Sequence, residues 1–383
     1  MPIYLDNAAT SFPKPEQVYE AVNNAMRHIG GSPGRGSHSM AIEADRLIFE
    51  TRETVAKFFN LSDSSRVIFT SNATDSLNLG LKGYLNSGDH VVTSAIEHNS
   101  VTRPLKALQK IGVEVTKVKS SPEGLINPQD IKNALRRKTR LVVLNHASNV
   151  IGAINHIEET GLICKKEGIR LLVDAAQTAG IIPIDIIRLN IDLLACSGHK
   201  GLLGIQGTGI LLLRKGVDLN SLKEGGTGSF SDDENQPEFL PDRFESGTLN
   251  LPGIASIKAG IDFVNKTDIS KIRQHKNSLL ERLFSGLSEI RGISFYGPVN
   301  LNERVPLLSF NIEGVAPGQI EQRLDTEFSI IVRAGLHCSP DSHRSAGTYP
   351  GGAVRISPGF FNTLAEIDLA IDAIRKIAKS LRK

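Results

Sequence analysis

The chain has 383 residues, a net charge of +3, and 40% hydrophobic and 22% charged residues. That composition is ordinary for a globular protein and is long enough for one large α/β domain and a smaller one. The near-balanced charge argues against a nucleic-acid or anionic-membrane partner, no apolar run nears the ~20 residues of a spanning helix, and Met1 to Asp6 shows no secretion signal. Three cysteines, Cys164, Cys196 and Cys338, are widely spaced and odd in number. They form no disulfide framework and point to a reducing cytoplasm.

In chain order, a short apolar piece, Ile3 to Leu5, leads into Asp6-Asn7-Ala8-Ala9-Thr10 and a turn broken by Pro13 and Pro15. Val18 to Ile29 and Ala41 to Phe59 have helical periodicity, and the Gly/Ser-rich loop between them carries Arg35 and His38. From Arg66 onward short apolar strands alternate with helices. The predicted strands are Val67–Thr70, His90–Ile96, Leu141–Leu144, Arg170–Val173, Leu193–Ala195 and Gly209–Leu213. This pattern predicts a mostly parallel sheet of the seven-stranded type, covered by helices on both faces. The Gly225-Gly226-Thr227-Gly228 run lacks the setting of a P-loop or a dinucleotide fingerprint. Helices are expected over Pro252–Phe263, Ile269–Ile290, Pro317–Glu327 and Leu364–Leu381, with strands at Leu307–Ile312, Ile330–Val332 and Ala353–Ile356. The expected division is an N-terminal segment, 1–20, packing with the small domain, a large domain, 21–255, and an α+β domain, 256–383.

Open α/β sheets bind ligands beyond the carboxyl ends of their strands. Here those ends are polar: Ala73-Thr74, Glu97-His98, Asn145 to Asn149, Asp174 to Gln177, and Ser197-Gly198-His199-Lys200. A lysine seldom lies against apolar chain unpaired, and one desolvated in a pocket becomes a nucleophilic amine towards carbonyls. Pyridoxal 5'-phosphate (PLP) needs such a lysine, an anion near its pyridine nitrogen, phosphate donors and a flat group over its ring. Lys200, Asp174 and His98 suit the lysine, the anion and the flat group. The helix start at Ala73 and Thr74, with Ser197 and His199, suits the phosphate. Asn149 and Gln177 can bond the ring hydroxyl. Each residue alone also fits an ordinary role, such as helix cap, strand-end turn or core histidine. Five strand ends with complementary chemistry favour the joint reading.

The sequence resembles the class V aminotransferase-like, fold-type I PLP enzymes, and among them the cysteine desulfurases. The likeness rests on Tyr4 to Ala9, Glu97-His98, His146 to Asn149, Val173 to Gln177, Ser197 to Lys200, Arg243 to Thr248 and Arg333 to Cys338. It implies that Lys200 holds PLP as a Schiff base, that Asp174 faces the pyridine nitrogen, and that Thr74, Ser197 and His199 hold the phosphate. It implies that Thr248 reaches the phosphate of a partner in a homodimer. Arg355 matches the family's carboxylate-binding arginine, with Asn149, Arg35 and Arg333 as further substrate contacts. The Arg-x-Gly-x-x-Cys spacing matches short-loop desulfurases, which makes Cys338 the catalytic nucleophile beside Lys200 and His98. The expected reaction converts L-cysteine to L-alanine, leaving a persulfide on Cys338 for a sulfur-acceptor protein.

Arg333, His337 or His343 could lower the Cys338 pKa. A metal site at His337, Cys338 and His343 lacks a suitably spaced fourth ligand, so no metal is expected. Where many short-loop enzymes have paired histidines this chain has His98-Asn99, and Ser-Pro-Asp-Ser-His-Arg follows the cysteine. Selenocysteine lyase, another PLP-dependent C–S lyase and a non-catalytic scaffold of the same fold stay open as alternatives.

Overall fold

The computed structural model describes residues 2–34 and 36–380; the candidate substrate residue Arg35 and the expected helix end at Leu381 lie outside them. The chain starts with β1 (Ile3–Tyr4) and then enters a seven-stranded sheet. Its strands are β2 (Val67–Thr70), β3 (His90–Ser94), β4 (Glu114–Val118), β5 (Thr139–Asn145), β6 (Arg170–Asp174), β7 (Leu193–Ser197) and β8 (Gly209–Leu213). They lie in the order β2-β8-β7-β6-β5-β3-β4, and only β8 runs antiparallel to its neighbours. The mostly parallel sheet is as expected. The edge strand β4 was not foreseen, because its half-exposed Glu-Val-Thr-Lys-Val lacks the apolar run of the inner strands.

Burial on both faces explains those runs. In β6, Leu171 and Val173 join one apolar cluster while Leu172 joins another; in β7, Leu194 and Cys196 oppose Leu193 and Ala195. The first cluster is closed by helices Ser39–Phe58 and Leu251–Thr267, through Ala44, Ile48, Ile254 and Ile257. The second is closed by helices Ala73–Tyr84 and Asn99–Gln109, through Leu77, Leu81, Val101 and Leu105. Cys164 and Cys196 are core residues, as their sequence setting suggests. The helix expected over Val18–Ile29 is an α-helix over Glu16–Asn24 that runs into a π-turn over Ala25–Ile29.

A second core lies beneath a four-stranded antiparallel sheet built from β9 (Ile293–Tyr296), β10 (Leu308–Ile312), β12 (Arg333–Gly335) and β13 (Ala353–Ile356). Helices Ile269–Ser288 and Leu364–Ser380 cover it with Leu279, Leu283, Ile367 and Ile374. The N-terminal segment joins this core: Leu5 is buried in it, and β1 pairs in parallel with β11 (Ile330–Ile331). Among the described residues no helix is long and apolar enough to cross a membrane.

Helix Ile269–Ser288 also carries Lys276, only 9% exposed, in a cavity with Asn7, Ser11 and Phe360. No hydrogen bond or ion pair reaches it from the described residues, and burial pushes its pKa down from 10.5 to about 8. The folded protein therefore binds fewer protons here than the unfolded chain between those values, and the full penalty is present below pH 8. Lys276→Met is expected to raise stability at pH 7 by about 1–3 kcal/mol, or roughly 1–4 °C in Tm for a chain of this length. The gain should shrink above pH 8. Thermal melts at pH 7 and pH 10 check this, and an unchanged Tm at pH 7 contradicts it.

Candidate active site

The carboxyl ends of β3, β5, β6 and β7 and the start of helix Ala73–Tyr84 converge on one cavity. It is lined by Ala73, Thr74, His98, Asn149, Asp174, Gln177, Ser197, His199 and Lys200. Nine sequence-selected residues thus share one cleft, as the strand-end rule requires. The turn after β7 tolerates no side chain at Gly198, where a Cβ would sit 2.2 Å from the Thr208 hydroxyl oxygen. That close packing delivers His199 and Lys200 to the cavity.

Enclosure of the Lys200 amine pushes its pKa down to about 8; the Asp174 carboxylate opposes the shift, and Arg355 and Arg333 reinforce it. A substantial fraction is therefore neutral and nucleophilic near pH 7–8. Burial raises the Asp174 pKa, while an N–H bond from Ala176 at 2.9 Å and the Lys200 charge lower it. His98 is pushed down to about 4 by burial and by Lys200 and Arg333. Its Nδ1 accepts the Ser100 N–H at 3.1 Å, so the neutral ring carries its proton on Nε2. Ser100 is a contact the sequence did not suggest. Its hydroxyl lies 2.8 Å from His98 Nδ1 and 2.7 Å from Thr74 Oγ1, joining the two residues.

Several polar groups of the cavity have no partner among the described residues. The buried Ser197 Oγ and His199 Nδ1 make no hydrogen bond among the described residues. Asn72 caps the helix by accepting from Asp75 N, which leaves the Ala73 and Thr74 N–H groups without an acceptor among the described residues. Unpaired donors at a helix start, beside a free hydroxyl and a neutral imidazole, form an anion cradle. The residues therefore fit a phosphate here and an aldehyde near Lys200, the groups that PLP carries on neighbouring ring carbons.

Two expected cofactor contacts differ in detail. The Asn149 amide is already engaged: Nδ2 donates to the His337 carbonyl at 2.7 Å, and Oδ1 accepts from Ser339 Oγ at 2.8 Å. Gln177 Nε2 donates to the Ala8 carbonyl at 3.1 Å, which leaves its Oε1 for the cavity. Thr248 is not brought to the cavity of its own chain. It is exposed in a separate groove with Thr70, Asn78 and Gly207. Its segment is anchored by buried Glu245, which accepts from Arg52 at 2.8 Å and from Phe69 N at 2.6 Å.

Cys338 is exposed on a loop whose flanking residues, His337 and Ser339, are buried. The Asn149 amide grips both flanks, and Asn99 N donates to the Cys338 carbonyl at 2.8 Å. Burial holds the His337 pKa near 2 and the His343 pKa near 4, so both rings are neutral and supply no positive charge to the loop. Arg355 is 1% exposed. It donates to Asp6 at 2.7 Å and to the Asn149 carbonyl at 2.8 Å, and its buried Nε has no partner among the described residues. Arg333 lies directly opposite it across β12 and β13. The guanidinium pair and the free Nε suit a carboxylate.

A family model for Aminotransferase class-V matches residues 3–369. A probable cysteine desulfurase of Methanothermobacter thermautotrophicus is 37% identical over 98% of this chain and 94% of its own. Among solved structures, the apo cysteine desulfurase of Thermococcus onnurineus superposes with a TM-score of 0.90 at 31% identity, covering 99% of this chain and 95% of that one. The Escherichia coli cysteine desulfurase CsdA, in an S-sulfonic acid form, gives 0.89 at 27% identity over the same shares. The chain belongs to the class V aminotransferase family, and within it to the cysteine desulfurases.

Proposed function

We propose that the chain is a PLP-dependent cysteine desulfurase that takes sulfur from L-cysteine onto Cys338. The observation that carries this reading is Asn149, which lines the Lys200 cavity and grips both neighbours of Cys338. An amine suited to an aldehyde cofactor and an exposed thiol are thereby held on one support.

When bound, PLP supplies a ring that accepts electrons from the substrate's Cα. Ala73, Thr74, Ser197 and His199 would hold its phosphate, Asp174 its ring nitrogen, and Lys200 its aldehyde carbon. Arg355, with Arg333 beside it, orients the substrate carboxylate, and Arg35 is a further candidate for that contact. Lys200 Nζ, enclosed in the cavity with its pKa lowered to about 8, is the base that would take the Cα proton. Cys338 Sγ attacks the substrate sulfur; the S–S bond forms, and the Cβ–S electron pair stays with the substrate carbon, which is then protonated. Cysteine and the Cys338 thiol thus give alanine and a persulfide, with no outside oxidant. His98 Nε2 is the protonated nitrogen available for the proton traffic. Sulfur then passes to an acceptor protein. The exposure of Thr248, away from its own cavity, supports a homodimer in which it completes a partner's phosphate site. The division into segments 1–20, 21–255 and 256–383, the cytoplasmic setting and a role in iron–sulfur cluster assembly belong to the same reading.

Incubation of the PLP-loaded protein with L-cysteine and a thiol reductant tests this reading. Alanine and sulfide are expected in equal amounts; sulfide with pyruvate in place of alanine would contradict it. Arg355→Lys keeps the charge but loses the planar fork. We expect a KM for cysteine about 10-fold higher, as for one lost charge-assisted hydrogen bond, with PLP occupancy unchanged. An unaltered KM would move the carboxylate site to another arginine.

A further inference from the structure

We propose that His343 and Thr348 are positioning residues for Cys338, acting through His337 in a hydrogen-bond chain with one fixed direction. The proposal rests on Cys338 being the sulfur-accepting residue. Its geometry does not.

The loop needs an external hold. His337 and Cys338 have φ of +49° and +57°, two successive side-chain-bearing residues in the left-handed region. That region disfavours L-residues, so surrounding contacts must over-determine the conformation. Gly352, at φ +79°, packs against the start of the loop so closely that a Cβ would lie 2.5 Å from the Gly335 carbonyl carbon. Asn99 and Asn149 hold the backbone on the cavity side.

On the opposite side the hold is a chain of side chains. His337 Nε2 lies 3.3 Å from the Arg333 carbonyl, and His337 Nδ1 lies 3.3 Å from His343 Nε2. His343 Nδ1 in turn lies 2.7 Å from Thr348 Oγ1. The two ring planes are 19° apart. His337, His343 and Thr348 are 4%, 0% and 8% exposed, so water does not substitute for these bonds.

The direction follows from donor chemistry. A carbonyl only accepts, so His337 carries its proton on Nε2. Both rings are neutral, since burial depresses each pKa. His337 Nδ1 is therefore an acceptor, His343 Nε2 must donate to it, and His343 Nδ1 must accept from the Thr348 hydroxyl. The Arg333 carbonyl thus sets the tautomer of His337, which sets that of His343, and the Thr348 hydroxyl closes the chain by donating to His343 Nδ1; together these bonds hold the backbone that aims the Cys338 sulfur. A sulfur attack depends on alignment, so loss of the chain should slow that step more than substrate binding.

Thr348→Val removes the hydroxyl at nearly constant volume. In a single turnover with L-cysteine, persulfide formation on Cys338 is expected to slow about 10-fold, with KM within about two-fold of wild type. Thr348→Ser should restore the rate. Without cofactor, amide deuterium exchange over residues 335–339 should rise about 10-fold in Thr348→Val and stay at the wild-type rate in Thr348→Ser. In the wild type, histidine ¹⁵N shifts should show both rings protonated on Nε2, a readout that needs no variant to fold. A Thr348→Val protein with wild-type persulfide rate, a failure of Thr348→Ser to restore it, or an Nδ1–H tautomer at either ring overturns the positioning role. A wild-type chain that forms no persulfide on Cys338 overturns the desulfurase reading instead.

Discussion

Lys200→Ala is expected to abolish the visible absorption of the PLP-loaded protein and to lower alanine formation from cysteine by at least about 10³-fold. Both losses follow from one atom. Lys200 Nζ is enclosed beside Asp174 with a pKa of about 8, so it is the amine best placed to bond an aldehyde. The same amine serves as base at Cα, and loss of a positioned base alone costs about 10²–10⁴-fold. The fold should survive, because the change removes a desolvated amine and leaves the Gly198 turn intact. The check is borohydride reduction followed by peptide mass spectrometry. Wild type should carry reduced PLP on the Lys200 peptide and the variant should carry none. A variant with an undiminished adduct on another lysine, Lys14 or Lys276 for example, would reassign the amine.

Cys338→Ser should separate sulfur transfer from the earlier steps. The variant is expected to bind PLP and to change its visible absorption on mixing with cysteine. Alanine release should fall to about 1% of wild type or less, since a hydroxyl is not ionised near neutral pH and is a poor nucleophile towards sulfur. Serine is nearly isosteric, and the Cys338 side chain is exposed, so the Asn99 and Asn149 contacts to the loop should persist. Selenocysteine provides a second arm. Its weaker C–Se bond needs no attacking thiolate, so the variant should still release alanine from it. Steady-state alanine assays with both substrates check the prediction. Wild-type turnover of cysteine by the serine variant would leave a general C–S lyase.

The parts of the site readable in the sequence are those that local pattern controls. Short apolar strands buried on both faces stand out from their flanks, and Asp174, Ser197, His199 and Lys200 follow directly from where two of them stop. The edge strands β4 and β9 were missed because half-exposed strands lack that contrast. Partners supplied by distant segments were equally hidden. Ser339 meets Asn149 across 190 positions, and Arg355 meets Asp6 across 349. Asn149 was read as a cofactor ligand because its strand-end position is visible, while its grip on the cysteine loop depends on tertiary packing. His343 was noticed as a possible cation near Cys338. Complete burial makes it a neutral link to Thr348, and residue burial at that depth is not written in a six-residue helix.

The central claim is that Cys338 itself receives the sulfur. The direct measurement is mass spectrometry of the PLP-loaded wild type after one equivalent of L-cysteine, without reductant and with the thiols then capped. The account predicts one added sulfur atom on the peptide carrying Cys338, lost on later treatment with a thiol, and none on the peptides of the buried Cys164 and Cys196. Alanine released in step with cysteine consumption, with Cys338 unmodified throughout, would contradict it.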